Sequence, residues 1–319
     1  MGKLILAGGG GFLGKLLVAH FGALGHEMVI LKRALSRPSN SEKIAAREVR
    51  WDAKNIGDWA REIEGAMAVI GLSGRSVDCR YNDENRRLIM DSRVDSTRVL
   101  GEAIARASNP PPVWLNSSTA TIYRHSLDRP MDEITGEIGG TPEVKDVFSV
   151  EVASAWEKAL EDAPTPATRK VALRTAMVFG AAEGGVFHVI RRLVRMGLGG
   201  KMASGRQFVS WIHEDDFCRS IEWLLTHGDL SGPVNICAPN PVPNSEMMRD
   251  FRKAAGVPVG LPATAWMLEL GAFFLRTETE LILKSRRVVP SRLLASGFRF
   301  RYPEMVEALE QIFAQPPET

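Results

Sequence analysis

Three glycines near the start of the chain have the spacing expected of a nucleotide site. They are Gly8, Gly11 and Gly14, in the pattern G-x-x-G-x-x-G. An apolar run at residues 3–7 predicts a buried strand before them, and apolar residues at helical spacing predict a helix after them. Such a turn brings backbone and helix N–H groups close to a pyrophosphate. The pattern predicts a dinucleotide site that includes Phe12 and Leu13; a purely structural glycine turn is the alternative.

Two positively charged residues follow the second predicted strand, at residues 27–31. A site for NAD commonly has an acidic residue here, which binds the ribose 2′-hydroxyl. Lys32 and Arg33, with Ser36 close by, instead suit a 2′-phosphate, because an arginine fork can hold a phosphate through two hydrogen bonds. A solvated basic loop is the alternative. The sequence therefore predicts NADP(H) as the cofactor.

The elements that must position these residues alternate between strands and helices. Further along the chain, we predict strands at residues 68–72, 113–116 and 170–179 and helices at residues 85–107 and 150–160. This alternation predicts an α/β fold: a Rossmann-type doubly wound parallel sheet with a smaller C-terminal substrate lobe.

The same pattern predicts three parts along the chain. Residues 1–180 should form the NADP-binding Rossmann domain, completed by residues 206–240. The substrate lobe is expected at residues 181–267, because glycine- and proline-rich stretches there are typical of loops that border a cleft. Residues 268–315 should form a helical tail domain.

The composition argues against several classes of protein. Forty Lys and Arg against 38 Asp and Glu give a net charge of +2 over 319 residues, which is too balanced for a dedicated nucleic-acid-binding protein. The three cysteines lie far apart, which argues against a disulfide framework or a zinc site and fits a reducing cytosol. The apolar stretch at residues 265–275 is too short to span a bilayer. We expect a cytoplasmic protein with a small-molecule substrate and without a metal, nucleic-acid or membrane partner; the oligomeric state stays open.

Several motifs in combination resemble a known superfamily. The glycine turn, the Ser-Ser-Thr-Ala-Thr-Ile-Tyr segment at residues 117–123 and the Ile-His-Glu-Asp-Asp segment at residues 212–216 resemble the extended short-chain dehydrogenase/reductase superfamily. Finer features look like its NAD(P)-dependent epimerase-like family, which ends in a small domain of unknown function. These features include Leu72-Ser73-Gly74, Asp91-Ser92-Arg93, Trp156-Glu157, Ser210-Trp211-Ile212-His213 and Gly297-Phe298-Arg299-Phe300.

The resemblance implies a Ser or Thr beside the cofactor and a Tyr followed four residues later by a Lys. The Lys lowers the pKa of the Tyr, which then exchanges a proton with a hydroxyl or carbonyl while a hydride moves. Thr119 matches the Ser/Thr position. If Glu157 matches the acidic residue that follows the Lys, Ser149 and Ala153 stand at the Tyr and Lys positions. Ser149 then lacks a lysine partner, and we expect Ser149→Ala to leave any activity within about tenfold, ~1.4 kcal/mol.

The resemblance also implies positions that contact the cofactor. Asp52 would bind the adenine amino group, with a helix N-cap as the alternative. Arg93 would face the nicotinamide ribose or a cofactor phosphate, with a surface salt bridge as the alternative. The remaining positions are Leu72, Ser73, Gly74, Ser117, Ser118 and Val178.

Three residues are candidate catalytic groups. Thr119 is one by its matched position, and His213 is another because histidine titrates near neutral pH. Tyr123 is the third, although no lysine follows it at the expected spacing. Packing is the alternative role for Tyr123 and a buried structural role for His213. The sequence supports two hypotheses: an NADP(H)-dependent oxidoreductase or epimerase-like enzyme acting on a small carbonyl, hydroxyl or sugar-type substrate, or a non-catalytic NADP(H)-binding sensor or regulatory protein.

Overall fold

The structure, a computed structural model, describes residues 1–35, 46–182, 184–268 and 280–315. A parallel sheet lies at its centre. The strands in these ranges are β1 (Lys3–Ala7), β2 (Glu27–Lys32), β3 (Arg47–Arg50), β4 (Ala68–Gly71), β5 (Val113–Thr119), β6 (Arg169–Thr175), β7 (Met177–Phe179), β8 (Phe208–Val209), β9 (Trp211–His213), β10 (Gly232–Ile236) and β11 (Val242–Pro243). Seven of them form one sheet in the order β3-β2-β1-β4-β5-β6-β10. Every neighbouring pair in it is parallel, which confirms the predicted doubly wound α/β fold.

Helices connect the parallel strands. Within the described ranges they are α1 (Phe12–Ala23), α2 (Asp83–Arg106), α3 (Val147–Glu161), α4 (Val186–Arg195), α5 (Glu214–Thr226), α6 (Asn244–Ala254), α7 (Glu280–Leu283), α8 (Ser291–Ala295) and α9 (Met305–Ala314). Short 3₁₀ helices occur at Asp58–Ile63, Ala120–Ile122 and Pro142–Val144. Helix α2 begins two residues before the predicted start because the Asn82 side chain caps it by accepting a hydrogen bond from the Asn85 N–H.

The sheet separates two apolar cores. Alternate residues of a strand point to opposite faces, so Leu4 and Leu6 lie in one core and Ile5 and Ala7 lie in the other. Helices α1 and α5 contribute to the first core, and α2 contributes to the second. Among the helices in the described ranges, none combines the length and apolar composition needed to cross a membrane.

One predicted strand, at residues 170–179, is two strands in the structure. β6 ends at Thr175, and β7 begins at Met177 and pairs with β9 outside the main sheet. The chain leaves the sheet after Ala176, whose N–H donates to Ile236 O, and the N–H of Met177 donates to Ser210 O. Arg174 and Thr175 interrupt the apolar residues at the end of β6, but the strand was predicted to continue through them to Phe179.

A second lobe packs around aromatic side chains of β7, α4 and α6, namely Phe179, Phe187 and Phe251. Helix α9 of the tail also contributes to this core. β10 brings the segment at residues 206–240 into the main sheet, whereas the domain boundaries themselves stay a prediction.

The tail is only partly helical in its described part. Between α7 and α8, residues 284–290 are non-helical, and Val288 forms a parallel bridge with Met131. Ser210 Oγ also accepts a hydrogen bond from the Val288 N–H at 2.8 Å. The segment at residues 284–290 therefore contacts both Met131 and Ser210 and lies against the main domain.

Candidate functional site

The glycines of the turn between β1 and α1 serve two different purposes. Gly8 has a φ of +81°, and a Cβ there would lie 2.6 Å from Ser73 Oγ. A Cβ on Gly14 would collide with the carbonyl oxygen of Gly9. Both residues must therefore be glycine for the fold. A Cβ on Gly11, in contrast, would meet no atom within 4 Å, so the backbone at the start of α1 faces open space that an anion could fill.

This open space belongs to a cavity of about 690 Å³. The cavity runs from the glycine turn past the ends of β2, β3 and β4, and its lining residues include Gly8, Gly11, Lys32, Arg33, Asp52, Leu72, Ser73, Gly74, Ser92 and Asp95. A second cavity, of about 470 Å³, shares Arg33, Trp51 and Asp52 with it and adds Arg50. The predicted cofactor residues at the carboxyl ends of these strands thus face one continuous surface.

Three cations at the far end of this surface differ in their environment. Lys32 Nζ lies 2.8 Å from Glu48 Oε1, so its charge is balanced within the protein. Arg33 is exposed and lines both cavities. Arg50 lines the second cavity and pairs in register with Lys32, at the end of the neighbouring strand. Sequence reasoning missed Arg50; its position at the end of a short strand was the available signal. Ser36 lies outside the described residues.

Asp52 caps a turn at the edge of both cavities. Its Oδ1 accepts hydrogen bonds of 2.9 Å from the N–H groups of Lys54 and Asn55. The bond from the Asn55 N–H is the main reason that the pKa of Asp52 falls to about 2. The next helix has Gly57 as its N-cap. The helix-cap alternative for Asp52 is therefore wrong, and its contact with adenine stays a prediction.

Arg93 is half-buried beside Gly74, which follows the end of β4. Its Cζ would lie 3.1 Å from a Cβ on Gly74, and the guanidinium lies over the Trp156 ring at 5.1 Å from the centroid. No carboxylate of the described residues pairs with it, so the surface salt bridge is not found there. Burial lowers the pKa of Arg93 to about 10. Ser73 Oγ, close to this region, is also buried and has no hydrogen-bond partner among the described residues.

The predicted cofactor residues near the end of β5 are placed differently from one another. Ser118 Oγ donates to Glu157 Oε1 at 2.6 Å, and Glu157 forms a two-point ion pair with the buried Arg174. Ser117 is half-buried at the strand end, and Val178 is buried in β7. Ser118 thus takes part in an internal network, and its contact with a cofactor, like those of Ser117 and Val178, stays a prediction.

Thr119, the last residue of β5, is half-buried. Its Oγ1 accepts a hydrogen bond from the Thr121 N–H at 3.1 Å and caps the short helix that follows. Its hydroxyl proton is not used in that bond, so the side chain keeps a donor at the end of the strand.

Tyr123 lies in the protein interior and is 1% exposed. Its hydroxyl donates to Asn235 Oδ1 at 3.0 Å and accepts from Arg174 Nη1 at 2.8 Å. Burial raises its pKa to about 12. These contacts favour a structural role over the predicted proton transfer.

His213 is also fully buried. Its Nδ1 accepts from the Asp215 N–H at 3.0 Å and caps α5, while Nε2 lies 2.8 Å from Gln311 Oε1. Burial lowers its pKa, so the neutral ring is favoured. Both ring nitrogens are engaged, which favours the structural alternative.

Ser149, which the resemblance leaves without a lysine partner, lies beside a cluster of buried ionisable side chains. Ser149 Oγ lies 2.5 Å from Glu280 Oε1. Lys284 Nζ lies 2.5 Å from Asp146 Oδ2, with both side chains fully buried. Arg286 completes the cluster. Sequence reasoning missed all three tail residues, because a contact between residues so distant in the chain has no local signal.

Comparisons with known proteins match nearly the whole chain. Residues 4–237 match the NAD dependent epimerase/dehydratase family, and residues 263–312 match a domain of unknown function, DUF1731. Epimerase family protein SDR39U1 from Bos taurus is 30% identical over 316 residues, covering 98% of this chain and 100% of the relative. An epimerase family protein from Mycobacterium bovis is 31% identical over 315 residues, covering 98% and 97%.

A solved structure is similar over nearly its whole length. Human epimerase family protein SDR39U1 (isoform 2), crystallised with NADPH, has a TM-score of 0.84 and 27% sequence identity, and the match covers 98% of this chain and 99% of the human chain.

Proposed function

Because the chain belongs to the NAD dependent epimerase/dehydratase family, we propose that it binds NADPH along the carboxyl ends of its parallel strands and is an oxidoreductase or epimerase-like enzyme for a small carbonyl, hydroxyl or sugar-type substrate. The observation that carries the proposal is the open backbone at Gly11, at the start of α1 and inside a cavity that leads to Arg33. A helix N-terminus and a nearby cation are complementary to the two charged ends of an adenosine 2′-phosphate 5′-diphosphate.

The choice of NADPH over NADH rests on the far end of the cavity. An acidic residue for a ribose 2′-hydroxyl is absent from the end of β2, where Lys32 and Arg33 stand. Because Glu48 balances the charge of Lys32, Arg33 is the main candidate for the 2′-phosphate, and Arg50 lies on the same cavity wall. The human relative crystallised with NADPH supports this choice.

We expect Arg33→Ala to weaken NADPH binding by about 1.5–3 kcal/mol, which is the range for a hydrogen bond to a charged group. NADH affinity should hardly change, since NADH has no 2′-phosphate. Titration calorimetry with both nucleotides measures the difference. Arg61→Ala is the matched control, because Arg61 is exposed on the neighbouring helix and pairs only with Asp58 in the described residues. Equal affinity of the wild-type protein for NADPH and NADH would refute the proposed cofactor preference.

A second function is favoured by one observation. Ser149 and Ala153 stand where the resemblance expects Tyr and Lys, and this favours a non-catalytic NADP(H)-binding sensor or regulatory protein. NADPH oxidation with a panel of aldehydes, quinones and sugar nucleotides separates the two functions. Binding of NADPH without any turnover would favour the sensor.

A further inference from the structure

The side-chain carboxyl group of Glu280, in the tail, lies against the face of α3 that points to the end of β5. Ser149, Ala153 and Glu157 are spaced by four residues and therefore share one face of the helix. Glu157 contacts Ser118 of β5, and Ser149 at the other end contacts Glu280. Ser149 is half-buried, whereas Glu280 is 2% exposed. The hydroxyl is therefore the more accessible of the two groups.

Glu280 has an unsatisfied polar atom. Its Oε1 is hydrogen-bonded to the Ser149 hydroxyl, but its buried Oε2 has no hydrogen-bond partner among the described residues. A buried, ionised carboxylate loses its hydration, and an oxygen without a hydrogen-bond partner leaves part of that loss uncompensated. Burying such a group costs free energy. Burial accordingly raises the pKa of Glu280, and this effect outweighs the opposing effects of the Ser149 hydroxyl and of Arg286 and Lys284. The protonated acid is therefore favoured up to a higher pH than for an exposed glutamate.

Two cations of the tail, Lys284 and Arg286, contact the segment that follows β5. Lys284 Nζ donates to Thr121 O at 2.6 Å and pairs with Asp146. Arg286 Nε donates to Thr121 Oγ1 at 3.0 Å. Thr121 is two residues beyond Thr119, so the tail is fastened directly beside the end of β5.

We propose that Glu280 and Ser149 form the proton-transfer pair of this site, with the Ser149 hydroxyl touching the substrate oxygen and Glu280 supplying the proton through it. The inference rests on the proposed function and adds to it the group that delivers the proton. It also reverses the expectation from sequence that Ser149 is a weak contributor, because its partner comes from the tail and not from residue 153.

The proton for carbonyl reduction passes through these two residues. Reduced nicotinamide cofactor, when bound, supplies the hydride and is itself oxidised. The carbonyl π bond breaks as the hydride forms the new C–H bond, and the substrate oxygen takes the hydroxyl proton of Ser149. Ser149 regains a proton from the Glu280 carboxyl group, which becomes a carboxylate. After the product leaves, the half-buried Ser149 hydroxyl passes a proton from solvent back to Glu280, which is itself 2% exposed. Oxidation of an alcohol follows the same path in reverse.

The test compares Glu280→Gln and Ser149→Ala with the matched control Glu310→Gln, since Glu310 is an exposed glutamate of the same tail. Three measurements are made on the full-length protein: NADPH affinity by calorimetry, NADPH oxidation with the substrate panel across pH, and carbon NMR of glutamate carboxyl groups. Glu280→Gln and Ser149→Ala should each lower kcat about 100-fold or more, ~2.7 kcal/mol of barrier. Both should leave NADPH affinity within about twofold.

Two further results are expected of a true proton donor. Wild-type kcat/KM for carbonyl reduction should fall as pH rises through the pKa of Glu280, and this limb should be missing from Glu280→Gln. NMR should show one carboxyl signal that titrates above the ordinary range and is lost in Glu280→Gln but kept in Glu310→Gln. Glu280→Asp keeps a carboxyl group and should retain more activity than Glu280→Gln; it also serves as the second variant if the amide fails to fold.

Several outcomes would overturn the inference while leaving the NADPH site intact. They are a Glu280→Gln variant within about threefold of wild-type kcat, a Glu280 carboxyl that titrates in the ordinary range, and a wild-type protein that binds NADPH but oxidises it with no compound of the panel. A wild-type protein that fails to bind NADPH would instead refute the proposed function itself.

Discussion

Lys284→Met is expected to lower the free energy of unfolding by about 3–5 kcal/mol, the cost of leaving a buried charge without its partner. Lys284 and Asp146 have fully buried side chains, and their charged atoms lie 2.5 Å apart. Removing the ammonium leaves the Asp146 carboxylate in the interior without its cation. Urea unfolding followed by circular dichroism measures the change. The tail should become the less stable part, because this ion pair fastens it beside the end of β5.

Two controls identify the cause of that loss. Lys158→Met removes a lysine from a Lys–Asp pair whose lysine is 72% exposed, and it should cost no more than about 1 kcal/mol. Combining Lys284→Met with Asp146→Asn removes both charges and should recover part of the stability. Equal effects of Lys284→Met and Lys158→Met would mean that the buried pair does not fasten the tail.

Gly11→Val is expected to weaken NADPH binding about 100-fold or more, ~2.7 kcal/mol, with little loss of stability. Gly11 has a φ of −87°, which any residue can adopt, and a Cβ there would meet no protein atom within 4 Å. The added side chain would instead occupy the space proposed for the pyrophosphate. Calorimetry with NADPH and thermal unfolding without it give the two quantities.

Gly14→Ala is the matched contrast within the same turn. Its Cβ would collide with the backbone oxygen of Gly9, which cannot move aside as a flexible side chain could. It should therefore destabilise the fold by about 1–3 kcal/mol or more, despite the higher helix propensity of alanine. Normal NADPH binding by Gly11→Val would show that the glycine turn is only structural and that the cofactor lies elsewhere.

The residues that line the main cavity were largely predictable, whereas their individual environments were not. The glycine turn and the Lys32–Arg33 pair follow strands that the apolar pattern marks clearly, and parallel strands place their carboxyl ends at one edge. The pairing of β3 with β2 brings Glu48 to Lys32, where they form an ion pair, and places Arg50 beside them. A short strand with one partner has too weak a pattern to reveal this pairing.

The candidate catalytic residues show the same limit more strongly. Tyr123 and His213 are capable of acid–base chemistry by residue type, but burial and hydrogen bonds engage both of them internally. Residue type specifies what a side chain can do, and only the surroundings specify whether a substrate can reach it. Thr119 keeps its predicted place at the end of β5.

The sequence by itself determined the parallel α/β fold, the family and the glycine turn, because strand, turn and helix are contiguous and each is specified by local periodicity and backbone freedom. Only the tertiary structure decided what stands beside Ser149. Glu280 is 131 residues further along the chain, and the buried pair of Asp146 and Lys284 joins the same two segments. No local pattern encodes such a contact, because it forms only when the tail packs against the end of β5. Charges that are buried there are shielded from water and must be balanced by one another.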